Sequence, residues 1–146
     1  MSTTPGVSYD PTGKKTFIPL ENNPEVFNKI IHDLGVSKKL GFYDVYSVDE
    51  PDLLAMIPRP VHALVFITPA PMWARVRASD PRSSDLTYDG SGPGEPVVWF
   101  LQTIGHACGL IALLHSVSNG TAKEFINPDS DLDKLLKEVR DLKPLP

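Results

Sequence analysis

The chain has 146 residues, of which 41% are hydrophobic and 22% charged, and carries a formal net charge of -4. This is the length of one domain with enough apolar content for one core. No apolar run approaches the roughly 18 residues of a membrane-spanning helix, and no Lys/Arg stripe exists to release counterions, so neither a membrane nor nucleic acid is an expected partner. The one cysteine, Cys108, excludes an intramolecular disulfide and fits a reducing compartment, read here as cytoplasmic with the nucleus as a further location. No metal or cofactor is expected.

Residues 1–15 are polar, hold Pro5, Pro11 and Gly13, and read as a flexible N-terminal lead without the apolar centre of a targeting signal; 16–146 form the domain. Asn23-Pro24-Glu25 predicts a helix start: a capping side chain, proline at the first helical position, an acid in the first turn. Val26, Phe27, Ile30, Ile31 and Leu34 then share one face, and Gly35 is placed to stop the helix. Phe42-Tyr-Asp-Val-Tyr46 alternates and predicts a half-buried strand. A short helix over Asp49 to Met56 follows, closed by Pro58-Arg59-Pro60. Val61 to Thr68 is nearly continuous Val, Leu, Phe and Ile, the composition of a strand covered on both faces.

From Pro69 to Pro96 the composition predicts a long loop, given Pro81, Gly90, Gly92, Pro93, Gly94 and Pro96 with Ser79, Ser83, Ser84 and Ser91. Trp73 and Val97-Val-Trp-Phe100 are its expected anchors, a groove for an extended substrate tail being the rival role. Cys108 to Val117 is apolar on almost every side and predicts a central, fully buried helix. Asn127-Pro-Asp-Ser130 predicts the cap of a last amphipathic helix, with Leu132, Leu135, Leu136, Val139 and Leu142 on one face and Pro144-Leu-Pro146 ending it.

The chemistry concentrates in Gln102-Thr-Ile-Gly-His-Ala-Cys108-Gly109. A thiol at a helix N-terminus sits beside unpartnered backbone N–H groups at the positive end of the helix dipole, and both favour thiolate. Gln102 supplies a side-chain amide for the oxyanion that thiolate attack on a carbonyl creates. Gly109 lets a substrate backbone come close. The bland alternative is that a lone cysteine is a small buried hydrophobe.

Four segments in order, Ile18-Pro-Leu-Glu-Asn-Asn-Pro-Glu-Val-Phe27, Tyr43-Asp-Val-Tyr46, Leu53-Leu-Ala-Met-Ile-Pro-Arg-Pro-Val61 and Gln102 to Gly109 with Leu113-Leu-His115 behind it, resemble the N-terminal half of the ubiquitin carboxyl-terminal hydrolases. The resemblance implies a papain-like α/β (α+β) fold, with helices around a central antiparallel sheet of several strands. It implies a thiol-dependent deubiquitinase that cuts amide or isopeptide bonds at ubiquitin's C-terminal glycine, with ubiquitin or its adducts as partners. Cys108 matches the nucleophile and Gln102 the oxyanion-hole amide, with the Cys108 N–H as second donor. Two residues before the cysteine the family often carries Asn, where this chain has His106.

The resemblance also implies a general-base histidine, an aspartate that orients it and a crossover loop, all beyond Pro146. None of the four histidines is an expected substitute. His115 lies about 10 Å up the helix axis at roughly 1.5 Å per residue, where proton transfer needs about 3 Å. His106 is too near in sequence to aim its ring at the thiol, and His32 and His62 read as structural or solvated. Asp49, Glu50 and Asp52 read as a solvated helical turn, with the arginines of ubiquitin's tail as the rival partner. A sheet lacking its C-terminal half would leave Val61–Thr68 with an unpaired apolar edge. That predicts marginal stability and self-association through roughly several hundred Å2 of apolar surface. The alternative to a working enzyme is a catalytically incomplete form that at most binds ubiquitin.

Overall fold

Two short extended segments fold back on one another near the N-terminus: β1 (Val7–Tyr9) pairs antiparallel with β2 (Lys15–Phe17), Ser8 opposite Thr16. This is a computed structural model, and it describes residues 6–83, 88, 90 and 92–141. The turn between the strands is organised by Asp10, whose carboxylate accepts from the Thr12 N–H, the Thr12 hydroxyl and the Lys14 N–H. The Thr12 hydroxyl and then the Lys14 amide hold that carboxyl below its usual range. Gly13 supplies the positive φ the turn needs. The strand β1 thus falls within residues 1–15, the stretch expected to be a flexible lead.

The first helix, α1 (Pro24–Asp33), begins as expected: Asn23 Oδ1 accepts from the Glu25 N–H at 2.9 Å, and Pro24 opens the first turn. Phe27 and Ile31 are its buried face, and Gly35 ends it with a φ of 98°. Beyond α1 come α2 (Pro51–Ala55) and α3 (Ala70–Ser79), then α4 (Cys108–Ser118), a 3-10 segment (Gly120–Phe125) and α5 (Asp131–Asp141).

The core is made by three of these helices. Phe27 and Ile31 of α1, Val36 after it, Leu113 and Val117 of α4, and Leu132 and Leu136 of α5 form one buried cluster. The exit of α1 is stitched to the entry of α5. Val36 and Ile126 form an antiparallel bridge, the Ser37 N–H donates to Phe125 O, the Asn127 N–H to Gly35 O and the Leu132 N–H to Leu34 O. On α5, Leu135 is 39% exposed and Val139 half-buried, while Leu142, Pro144 and Pro146 lie outside the described residues. Ser130 caps this helix through the Asp133 N–H.

Three expectations are corrected. Residues 42–46 and 61–68 form no strand. A strand exists only when a neighbour takes its backbone groups; among the described residues neither segment has one. At Phe42 a side chain does the pairing instead: Asn28 accepts from the Phe42 N–H at 2.6 Å and donates to Phe42 O at 3.2 Å. The stretch expected to be loop from 69 to 96 contains α3. Its Ala, Met and Arg are good helix formers behind a proline in the first turn. Every residue of α3 is exposed, Trp73 included, so Trp73 anchors nothing. Finally, α4 is not buried all round: Leu113, Val117 and Ser118 are buried, the rest are half-buried, and Cys108 is exposed, because only one side of the helix meets α1 and the 3-10 segment. Ser84 and Ser91 of the expected loop lie outside the described residues.

Candidate active site

Cys108 is the first residue of α4, and its side chain faces outward rather than into the core. The N-cap position is Ala107, which is buried and has no side chain able to cap. The first-turn N–H groups beside the sulfur are therefore left to whatever lies outside the helix, at the positive end of its dipole. The turn into the helix is tight: His106 has a φ of 58°, a conformation that costs an L residue energy and persists only where its surroundings hold it there.

Gln102 lies upstream on the same loop, exposed, with its Nε2 donating to Ile104 O at 3.2 Å. The two site residues thus share one loop-to-helix junction, but no hydrogen bond joins them. The amide of Gln102 is spent on its own loop.

The histidines separate cleanly. His115 Nε2 accepts from the Phe100 N–H at 2.8 Å, and the ring is stacked on Trp99 at 4.5 Å between centroids and on Phe100 at 5.7 Å. Its lone pair is committed, and burial pushes its pKa below the ordinary value. His32 Nε2 lies 3.0 Å from Leu40 O and must donate there, since a carbonyl only accepts. His62 Nδ1 lies 2.7 Å from Thr121 Oγ1, with the ring edge-on to Phe125. Each of these three rings is engaged away from Cys108. His106 is exposed.

The segment before Gln102 is held by side chains at the C-terminal end of α4, His115 and the C-cap residue Asn119. Asn119 accepts from the Val98 N–H at 2.7 Å and donates to Val98 O at 3.0 Å, repeating the pairing Asn28 makes with Phe42. With His115 taking the Phe100 N–H, alternate residues of 98–100 face α4 like a strand with side chains for a neighbour. Phe100 packs against the core, whereas Trp99 and Leu101 are exposed. Asp49, Glu50 and Asp52 are exposed around the start of α2, whose entry is held by Ser47 Oγ accepting from the Asp49 and Glu50 N–H groups.

An open groove of about 640 Å3 runs along Phe27, Phe42, Leu54, Val65, Val117 and Phe125; neither Cys108 nor Gln102 lines it. Among the described residues no group of three or more His, Cys, Asp or Glu side chains is arranged to hold a metal ion, and no helix is long and apolar enough to cross a membrane.

Sequence reasoning missed what touches the glycines on either side of Cys108. Gly105 is bridged to Thr16, and Gly109, expected to let a substrate backbone come close, is approached by Leu20: a Cβ there would stand 3.1 Å from Leu20 Cβ. The available signal was Asp10-Pro-Thr-Gly13, a turn sequence between Val7-Ser-Tyr9 and Lys15-Thr-Phe17.

The family model for ubiquitin carboxyl-terminal hydrolase, family 1, matches residues 17–145. Among curated relatives, the chain is 40% identical to ubiquitin carboxyl-terminal hydrolase YUH1 of Saccharomyces cerevisiae over 127 residues, covering 87% of this chain and 49% of that protein. It is 38% identical to ubiquitin carboxyl-terminal hydrolase of Aplysia californica over 73% of this chain and 46% of the relative. Identity to ubiquitin carboxyl-terminal hydrolase 3 of Arabidopsis thaliana is 31% over 92% of this chain and 56% of the relative. The chain spans about half the length of the curated relatives it matches. By family match and identity together, it belongs to family 1 of the ubiquitin carboxyl-terminal hydrolases.

Proposed function

We propose that this chain carries the nucleophile of a thiol-dependent deubiquitinase, acting on amide or isopeptide bonds at the C-terminal glycine of ubiquitin in ubiquitin-dependent protein catabolism. The observation that carries the reading is the exposed Cys108 at the uncapped N-terminus of α4, on a chain of this family. The Cys108 thiolate attacks the glycine carbonyl, an oxyanion forms, and its collapse leaves a thioester and expels the amine, whose nitrogen takes a proton from solvent as the C–N bond breaks. Water then attacks the thioester, gives up its two protons to solvent, and releases the ubiquitin carboxylate and the thiolate. The Cys108 N–H and the Gln102 side-chain amide are the donors assigned to the oxyanion. Residues 16–146 are assigned to the hydrolase domain, a boundary supported by the family match from 17 to 145. The cytoplasm, with the nucleus as a further location, is the proposed compartment, supported by the unpaired thiol of the one cysteine.

Turnover of a fluorogenic ubiquitin C-terminal amide by the purified chain is the test. Cys108→Ala should abolish it, and Gln102→Ala should lower kcat by about 10²- to 10³-fold. Equal rates for the chain and Cys108→Ala would remove the nucleophile assignment. A second reading, ubiquitin binding without turnover, is favoured by one observation: the rings of His32, His62 and His115 are all engaged away from the thiol. Saturable ubiquitin binding with no cysteine-dependent product would select it. Self-association through the apolar strip 61–67, where Leu64, Phe66 and Ile67 are exposed, is proposed alongside and is read by sedimentation velocity.

A further inference from the structure

The N-terminal segment closes over both glycines that flank Cys108. Gly105, three residues before the cysteine, donates its N–H to Lys15 O at 3.0 Å and accepts at its own O from the Phe17 N–H at 2.9 Å. These two bonds form a parallel bridge centred on Thr16. The approach leaves no room for a side chain: a Cβ at Gly105 would lie 2.7 Å from Thr16 Cγ2. Gly109, directly after the cysteine, meets Leu20 at 3.1 Å by the same measure, and Leu20 itself packs on the helical core. Thr16 is fixed from its other side by Ser8, the two hydroxyl oxygens 2.7 Å apart.

Surface loops are ordinarily free to move, and a loop that presents a reacting group needs an external constraint to hold its geometry. Here the constraint is identifiable. Between the two glycines lie the positive-φ residue His106 and the buried Ala107, so the strained turn is pinned on both sides by one strand and its continuation.

We propose that β2 and the residues to Leu20 form a positioning strap that holds the turn from Gly105 to Gly109, and with it the place of Cys108 on the loop that carries Gln102, with Thr16 and Leu20 as positioning residues. The strap rests on the roles given to Cys108 and Gln102 above. It acts on the chemical step rather than on ubiquitin binding, so loosening it lowers kcat and kcat/KM together.

The test uses the whole chain. Gly105→Ala drives a methyl group into Thr16 Cγ2; adding Thr16→Ser removes that methyl and keeps the hydroxyl that meets Ser8. Capture of Cys108 by an electrophile on the C-terminus of ubiquitin should slow about 10- to 100-fold in Gly105→Ala, with the helical melt unchanged. Thr16→Ser in the same chain should restore most of the rate. Phe17→Pro, which deletes the N–H that Gly105 O accepts, is the second variant and should slow capture likewise. Iodoacetamide, which needs only an accessible sulfur, should react with all of them at similar rates. Unchanged capture in Gly105→Ala, or no restoration by Thr16→Ser, overturns the strap. A wild-type chain that never captures the ubiquitin electrophile at Cys108 sinks the peptidase reading by itself. Amide exchange then decides the strap: the Phe17 amide must be protected, lose protection in Gly105→Ala and regain it with Thr16→Ser. Fast Phe17 exchange in the unaltered chain overturns it.

Discussion

Residues 24–36 and 108–139 supply every member of the buried hydrophobic cluster, whereas residues 42–101 supply none and instead carry exposed Leu64, Phe66, Ile67, Trp73, Trp99 and Leu101. Apolar content does not explain the difference, since Val61–Thr68 is as apolar as α4. Secondary structure explains it for the extended segments, while α2 and α3 are helices that bury no residue. A helix closes its own backbone hydrogen bonds and needs from the rest of the chain only an apolar face to pack against. An extended segment needs a neighbour for its backbone as well as its side chains. At three points of the middle region side chains stand in for that neighbour, Asn28 at Phe42, Asn119 at Val98 and His115 at Phe100, while His62 is held through its own ring by Thr121 and Phe125.

This contrast breaks most visibly in the helical core. Leu113→Ala removes a side chain with 0% exposure and should cost about 2–5 kcal/mol in urea unfolding followed by circular dichroism. A cost below about 1 kcal/mol would mean that the three helices do not form the stable unit. Gly35→Ala comes next. It places a Cβ directly against Ser130 Cβ at a φ of 98°, and should lose about 1–3 kcal/mol from backbone strain alone, uncoupling the exit of α1 from the entry of α5.

The side-chain clamps on the middle region predict a pH effect. Burial holds the His115 imidazole below its ordinary 6.5, and protonation would also convert the acceptor of the Phe100 N–H into a donor. Between the folded and unfolded values the unfolded chain binds more protons. Stability that is full above about pH 6.5 is therefore lost as pH falls from there through the lower folded value. Denaturant midpoints measured across this range should drop toward acid, and His115→Gln, which keeps an acceptor but does not titrate, should flatten that part of the profile. An identical profile in the variant would assign the effect elsewhere. The smallest change is expected in the strip itself: Phe66→Ser, at a residue 82% exposed, should shift stability by no more than about 0.5 kcal/mol. The same substitution should lower the sedimentation-detected association of the chain, and a large loss of stability there would show the strip to be packed.

Much of the helical region was legible in the residues. The start of α1 followed from Asn23, Pro24 and Glu25, its end from Gly35, and the buried face of α5 from Leu132 and Leu136, because capping chemistry and the 3.6-residue period are local. The strands over 42–46 and 61–68 were misread for the opposite reason: alternation and β-branched composition state a preference, and pairing decides. The helix α3 was hidden by counting prolines and glycines over the whole stretch 69–96, when most of them fall after Ser79. At the site, Cys108 and Gln102 stood out because their chemistry is particular to their residue types. The bridge from Thr16 to Gly105 did not, since backbone contacts leave almost no trace in side-chain identity beyond a glycine.

The order of residues alone determined where helices begin and which of their faces are apolar, because those properties depend on neighbours within one or two turns. It also determined that a single thiol precedes a glycine at a helix entry. Tertiary structure decided that this thiol faces outward, that His115 turns its lone pair to Phe100, and that the N-terminal hairpin clasps the loop carrying Gln102. Such contacts join groups far apart along the chain, and no local preference encodes them.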